Sequence, residues 1–442
     1  MKYLAAAMLI LTAAAFPFLC GAEELDYSAL SGASLETLDN GLTLVTKHAG
    51  LPGTLTAQVW IRAGTFHEGK EQNGLSALLS SLLWEDMSNV GVRNFREALS
   101  SAKGRCEVNN SKEFIYFSLT VPRDSFPALF PSMMGLIFSP VLEDSSLQEI
   151  KRYFIEKINM MDKYQRYRLN KKLYELAYGA YGLSNSLYGD SMSLSSVQLE
   201  SAADFHGRYF TAGNAAVVIT GDFDYAEAKK TVSASALGIK GKGAEEAPLS
   251  GYLKAGYPVS LLLKDNFQKS VLSSAYYAPD IGSPGDVLAC DLLLYLLGME
   301  GSTFRKQLLY DKKLADEMHA EFQTRKRGDI FRFEFVTSKK NIKMLQAEIS
   351  SAFASIRAEG FSDTDIKDAK QRLFDSYIFD NMNAEKIAYT AGYYWALGVP
   401  DFEKNYIGGI MALKKEEIDG AFNKYFDMPN NVTLILVGDH EK

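Results

Sequence analysis

The feature that most constrains this chain is a pattern that occurs twice. Phe205–Phe223 reads FHGRYFTAGNAAVVITGDF, and Phe422–His440 reads FNKYFDMPNNVTLILVGDH. Each runs through the end of a helix, Tyr-Phe, a turn, an Asn, a β-branched strand and then Gly-Asp. Asn214 to Gly221 and Asn431 to Gly438 are both seven residues apart. So many features in one order indicate an internal duplication of roughly 200 residues per copy, each long enough to bury a core of its own.

The duplication sets the domain plan. Residues 34–235 form one unit and residues 259–442 the other. Between them, 236–258 is rich in Gly, Ala, Pro and Lys and reads as a linker. In the first unit, alternating apolar residues predict strands at 42–50 and 55–64, read as antiparallel, and another strand at 114–122. An apolar helix is expected over 74–87, and long helices over 144–167. In the second, strands are expected at 270–279 and 329–338, a helix at 286–298, and helices from 340 to 380. Strands and helices mix without a regular βαβ alternation, so the expected class is α+β with mainly antiparallel sheets packed by helices.

The start of the chain reads as an export signal. Lys2 gives a positive start, Leu4–Leu19 carries no charge, and small residues precede Glu23. That is a secretory signal over residues 1–22, too short to anchor in a bilayer, with cleavage expected after Ala22. Acylation at Cys20 is the alternative, but Pro17, Phe18 and Leu19 are poor neighbours for it. The expected compartment is a bacterial periplasm. No later run is read as reaching the ~18 apolar residues a spanning helix needs. Cys106 and Cys290 are expected as free buried thiols. The formal charge is −7 with no concentration of basic residues, so no nucleic-acid partner is expected.

Several short motifs together resemble the pitrilysin/insulinase family of zinc peptidases. They are Asn40-Gly41-Leu42, Ala63-Gly64-Thr65 followed by Glu68, Gly74-Leu75-Ser76, Asn109, Glu149 with Glu156, Leu314-Ala315 and the two Asn…Gly-Asp endings. The resemblance implies two homologous domains closing like a clamshell around a peptide chamber. It also implies a helix after the Gly-Leu-Ser turn that carries His-x-x-Glu-His in active relatives. Two His one turn apart hold Zn²⁺ together with a downstream Glu, and the motif's Glu takes a proton from the metal-bound water. Here Ala77 and Ser81 stand in the places of the two His, and Ser80 in the place of the Glu. Glu156 matches the third ligand, with Glu149 as its partner one heptad earlier. A carboxylate without imidazoles holds zinc poorly. No cofactor and no hydrolysis by the family route are therefore expected.

Two-subunit bacterial relatives carry an Arg/Tyr pair in the second half that grips the substrate backbone. Leu309 and Asp316 occupy those places, so the chain departs there too; with Asn109, these are the positions where the resemblance implies substrate contact. No two of the five histidines show metal-ligand spacing, although His67 could approach the chamber. Surface or capping roles are expected for them. Tyrosines at 153, 164, 167, 174, 178, 181 and 188 suit either helix packing or a peptide lining. Arg325, Lys326 and Arg327 are read as a solvated turn. Three functions remain open: a non-catalytic partner of an active zinc-bearing relative that handles unstructured peptide, a residual peptidase active only in complex, and a structural scaffold.

Overall fold

The computed structural model describes residues 33–438 apart from 51, 70, 180–181, 242, 244–257, 266–268 and 428–430. The signal segment, Cys20, Tyr181, His440 and most of the linker lie outside the described residues. The first half runs β1 (Ser34–Thr37), β2 (Thr43–His48), β3 (Thr54–Ile61), α1 (Leu75–Trp84), α2 (Val90–Ser101), β4 (Arg105–Asn110) and β5 (Ile115–Pro122). It continues with α3 (Phe126–Phe138), α4 (Asp144–Met161), α5 (Gln165–Tyr178), α6 (Ser191–Ser196), α7 (Leu199–Tyr209), β6 (Ala215–Gly221) and α8 (Tyr225–Ser235). The second half runs β7 (Val259–Asp265), β8 (Ser270–Tyr277), α9 (Pro284–Leu293), α10 (Thr303–Lys306), β9 (Glu317–Glu321) and β10 (Ile330–Thr337). It ends with α11 (Ile342–Glu359), α12 (Asp363–Asp380), α13 (Ala384–Ala396), α14 (Phe402–Ala412), α15 (Lys415–Tyr425) and β11 (Asn431–Gly438).

The two sheets share one topology. The first is ordered β1-β2-β6-β3-β5-β4 and the second β7-β11-β8-β10-β9. Apart from the extra edge strand β1, each strand has a counterpart. The last strand of each half inserts next to the first long one, parallel to it, and all other pairings are antiparallel. The strands expected at 42–50 and 55–64 do run antiparallel, but they are not neighbours. β6 lies between β2 and β3, and β2 pairs with it in parallel. Sequence proximity favours a hairpin, but a strand from the far end of the unit takes the central place.

Both faces of each sheet are covered. Leu55, Ala57, Val59 and Ile61 of β3 join Phe117, Val217 and the helices of their own half. The opposite face, with Trp60, Val45 and Val218, packs on Ala388, Ala391 and Trp395 of α13 in the other half. In exchange, Leu169, Leu173 and Ala177 of α5 cover Val271, Ala275, Leu434 and Leu436 in the second sheet. Polar groups follow the same exchange. Gln58 and Thr220 donate to the Glu385 and Ala384 carbonyls at the start of α13. Arg62 donates to the Trp395 carbonyl near its end, and Tyr277 to the Ala177 carbonyl near the end of α5. The last carbonyls of a helix lack partners within it, so the opposite half satisfies them.

By length and composition, Pro284–Asp311 is apolar enough to cross a membrane, contrary to the sequence reading. It is interrupted at Met299, whose backbone is extended, and Val287, Cys290, Leu293 and Leu297 are fully buried in the second core. Cys106 lies half-buried on β4, and both cysteines are free thiols.

Candidate functional site

α1 is the helix on which the family's chemistry would stand, and all ten of its residues are buried. Its start is set by Gly74, at φ 93°, where a Cβ would lie 2.6 Å from the Tyr188 carbonyl oxygen. Glycine has no side chain to cap the helix, so Glu68 reaches in. Its carboxylate accepts from the Gly74 and Ser76 amides at 2.9 and 2.8 Å and from the Ser76 hydroxyl at 2.6 Å. A carboxylate at a helix N-terminus meets the unpaired amides and the positive end of the helix dipole. Burial nevertheless pushes the Glu68 carboxyl up to about 7, against those three hydrogen bonds.

One turn on, Ala77 offers no donor atom and is fully buried. Ser80 is also fully buried, with its Oγ 2.9 Å from both the Ala77 carbonyl oxygen and Asn110 Oδ1. Its hydroxyl ties α1 to β4. Ser81 is 5% exposed. Glu149 and Glu156 are both exposed, whereas α4 turns Leu147, Ile150, Lys151, Phe154 and Ile158 into the core. Among the described residues neither Glu is hydrogen-bonded to α1, and there is no group of three or more His, Cys, Asp or Glu that could hold a metal. A methyl group and two hydroxyls where imidazoles and a base would stand do not fit Zn²⁺.

A cavity of about 560 Å³ lies between the halves, linked to α1 through Asn110 of β4, which bonds Ser80. The edge strand β4 contributes Asn109 and Asn110, α5 contributes Tyr167 and Tyr174, and the second half contributes Gln323 and Arg325. The hairpin tips after β4 and β9 meet behind it. Lys112 donates to the Leu183 and Asn185 carbonyls, and its ammonium lies 4.3 Å from the centre of the Tyr174 ring. Burial pushes this amine down to about 7. Next to it, Glu113 accepts from the Lys326 amide at 2.9 Å, while its other carboxylate oxygen is buried without a partner. Burial pushes the Glu113 carboxyl up to about 7.

The structure redraws several sequence expectations. Arg325 is not in a solvated turn. It is 6% exposed, ion-paired with Asp329 and bonded to Gln323 and Ser111. Sequence alone hid this, because the i, i+4 spacing of Arg325 and Asp329 suits an exposed pair equally well. Of the candidate substrate positions, Asn109 lines the cavity. Leu309 packs against the second core, and Asp316 is exposed and paired with Lys269. Neither of the latter two lines the cavity. The tyrosines divide: 167, 174 and 188 line it, 178 packs under the second sheet, and 153 and 164 are exposed. His67 accepts from the Gly64 amide at 3.1 Å, and burial pushes its imidazole down to about 4. It stays neutral near pH 7 and caps a turn.

The sequence of residues 44–191 matches the family described as Insulinase (Peptidase family M16), and residues 196–373 match the Peptidase M16 inactive domain. The chain belongs to the insulinase family. A Bacillus subtilis relative named uncharacterized zinc protease YmxG is 18% identical over 403 residues, which is 90% of this chain and 97% of that one. A Helicobacter pylori relative named non-peptidase homolog YmxG is 21% identical over 390 residues, 86% of this chain and 88% of that one. The solved structure of a Helicobacter pylori protease superposes with a TM-score of 0.85 at 16% identity, covering 92% of this chain and 99% of that one. Shorter sequence matches, over 43% and 48% of this chain, are named as subunits of the mitochondrial processing peptidase and of the cytochrome b-c1 complex. Within this family, the chain lacks the His-x-x-Glu-His motif at Ala77–Ser81.

Proposed function

We propose that this chain is a non-catalytic insulinase-family subunit that is exported, holds extended peptide between its halves and works beside an active zinc-bearing relative. The observation that carries this reading is the pairing of an emptied helix with a retained chamber. Ala77, Ser80 and Ser81 supply neither metal ligands nor a base, so the water-activating route has no residues to run on. The polar wall of β4, α5 and the second half nevertheless remains. β4 is an edge strand, and an extended peptide could add to it through main-chain hydrogen bonds. Relatives named as subunits of larger complexes support a partner role.

The test is direct. Purified chain dialysed against zinc should retain no stoichiometric metal and cleave no unstructured peptide, with a chelator control. Affinity capture from the native organism should bring down a second family member that carries His-x-x-Glu-His. Chelator-sensitive cleavage traceable to this chain would overturn the non-catalytic reading. Capture of a large assembly without any peptidase would favour the scaffold reading instead. N-terminal sequencing of the mature protein should begin at Glu23.

A further inference from the structure

The wall of the chamber has the opposite charge to the chain as a whole. The chain is acidic, at −7, yet the basic side chains lining the cavity are Lys112, Lys171 and Arg325 against the single carboxylate of Glu321. Glu321 is already bonded to Arg332, and Arg325 is matched by Asp329. The two lysines have no such match. Lys112 is held by two backbone carbonyls and a tyrosine ring, and Asp329, which attracts it through space, is committed to Arg325. Lys171 on α5 has no hydrogen-bond or ion-pair partner among the described residues.

Lys112 is half-buried, where an ammonium without a counter-charge is costly, and charges attract more strongly in a cavity walled by protein than in water. Burial depresses the Lys112 amine, and the attraction of Asp329 does not make up for it. Resting on the peptide-binding reading above, we infer that the chamber takes extended segments carrying Asp or Glu side chains, recognised by Lys171 and Lys112. The asparagines and tyrosines of the wall would supply hydrogen bonds and ring surface that do not depend on sequence.

The full mature chain would be titrated with fluorescent, unstructured, C-terminally amidated peptides of one length, matched except for acidic, amide or lysine residues at the same positions. The acidic peptide should bind about tenfold tighter than the amide peptide at low salt, a difference of about 1.4 kcal/mol. The preference should shrink as salt rises. Lys171→Glu should abolish it, while Lys343→Glu, the same charge change on the exposed outer face of α11, should leave it intact. Equal binding of acidic and amide peptides, or tighter binding of the lysine peptide, would overturn the inference and leave the peptide reading standing. If no peptide binds, both fall. If the amide peptide gains affinity only when its C-terminus is left free, the carboxylate recognised is terminal, and the side-chain inference fails.

Discussion

The two halves solve one packing problem in opposite ways. Each must cover the inner face of its sheet with a helix lent by the other. On the first sheet the bulk sits on the strand, where Trp60 of β3 rises into α13. The helix gives way at Gly392, where a Cβ would lie 2.1 Å from the indole. On the second sheet the bulk sits on the helix. Leu173 of α5, fully buried, descends on a face that includes Ser273 and Ala275 of β8. Gly392 and Leu173 are each the ninth residue of their helix. Close packing requires complementary volumes but does not specify which partner is large. Duplication therefore preserved the architecture while the contact reversed, and neither half's side chains can be inferred from the other's.

The largest expected effect is on the helix-borne side of this contrast. Leu173→Ala should cost about 3 kcal/mol in denaturant unfolding, because it leaves a cavity between two rigid elements. A loss below about 1 kcal/mol would mean that α5 can settle onto β8. On the strand-borne side, Gly392→Ala should cost about 2 kcal/mol, even though helix propensity alone favours Ala by about 1 kcal/mol. Adding Trp60→Phe should recover part of that loss, and a double-mutant cycle would show the coupling. Strict additivity would break the comparison.

The helix starts differ as well. α1 begins on the buried carboxyl of Glu68, whereas α9 begins on Pro284, with Asp286 half-buried in its first turn. Burial holds Glu68 above its ordinary 4.5, at about 7. The folded state then binds that proton more readily than the unfolded one. The contribution is full below the unfolded value and fades as pH rises through 7. Wild-type stability should fall between pH 5 and 7 more steeply than that of Glu68→Gln, as read from urea midpoints. Parallel slopes would remove Glu68 as the cause. The smallest effect is expected at Arg105→Ala, which removes an exposed pair with Glu385 across the two halves. The loss should stay below about 1 kcal/mol and shrink with salt.

Much of the fold was legible in local pattern. The strands at β5, β8 and β10, the apolar helix at α1 and the long helices α4, α11 and α12 all follow from the spacing of apolar residues. What misled was pairing and burial. Alternation in β3 reads as one wet and one dry face, yet Thr56 and Gln58 are as buried as their apolar neighbours. The second face is dry because α13 covers it, and nothing within β3 encodes that. Arg325 failed for the same reason, since its burial depends on residues far away in the chain.

Sequence alone determined the duplication, the order of elements and the lack of imidazole on α1, because each is a matter of which residue types recur at which spacing. Tertiary structure alone decided which helix covers which sheet and which charges face the chamber without a partner. Those depend on the meeting of segments far apart in the chain, where volume and charge are balanced between partners rather than along a strand or helix.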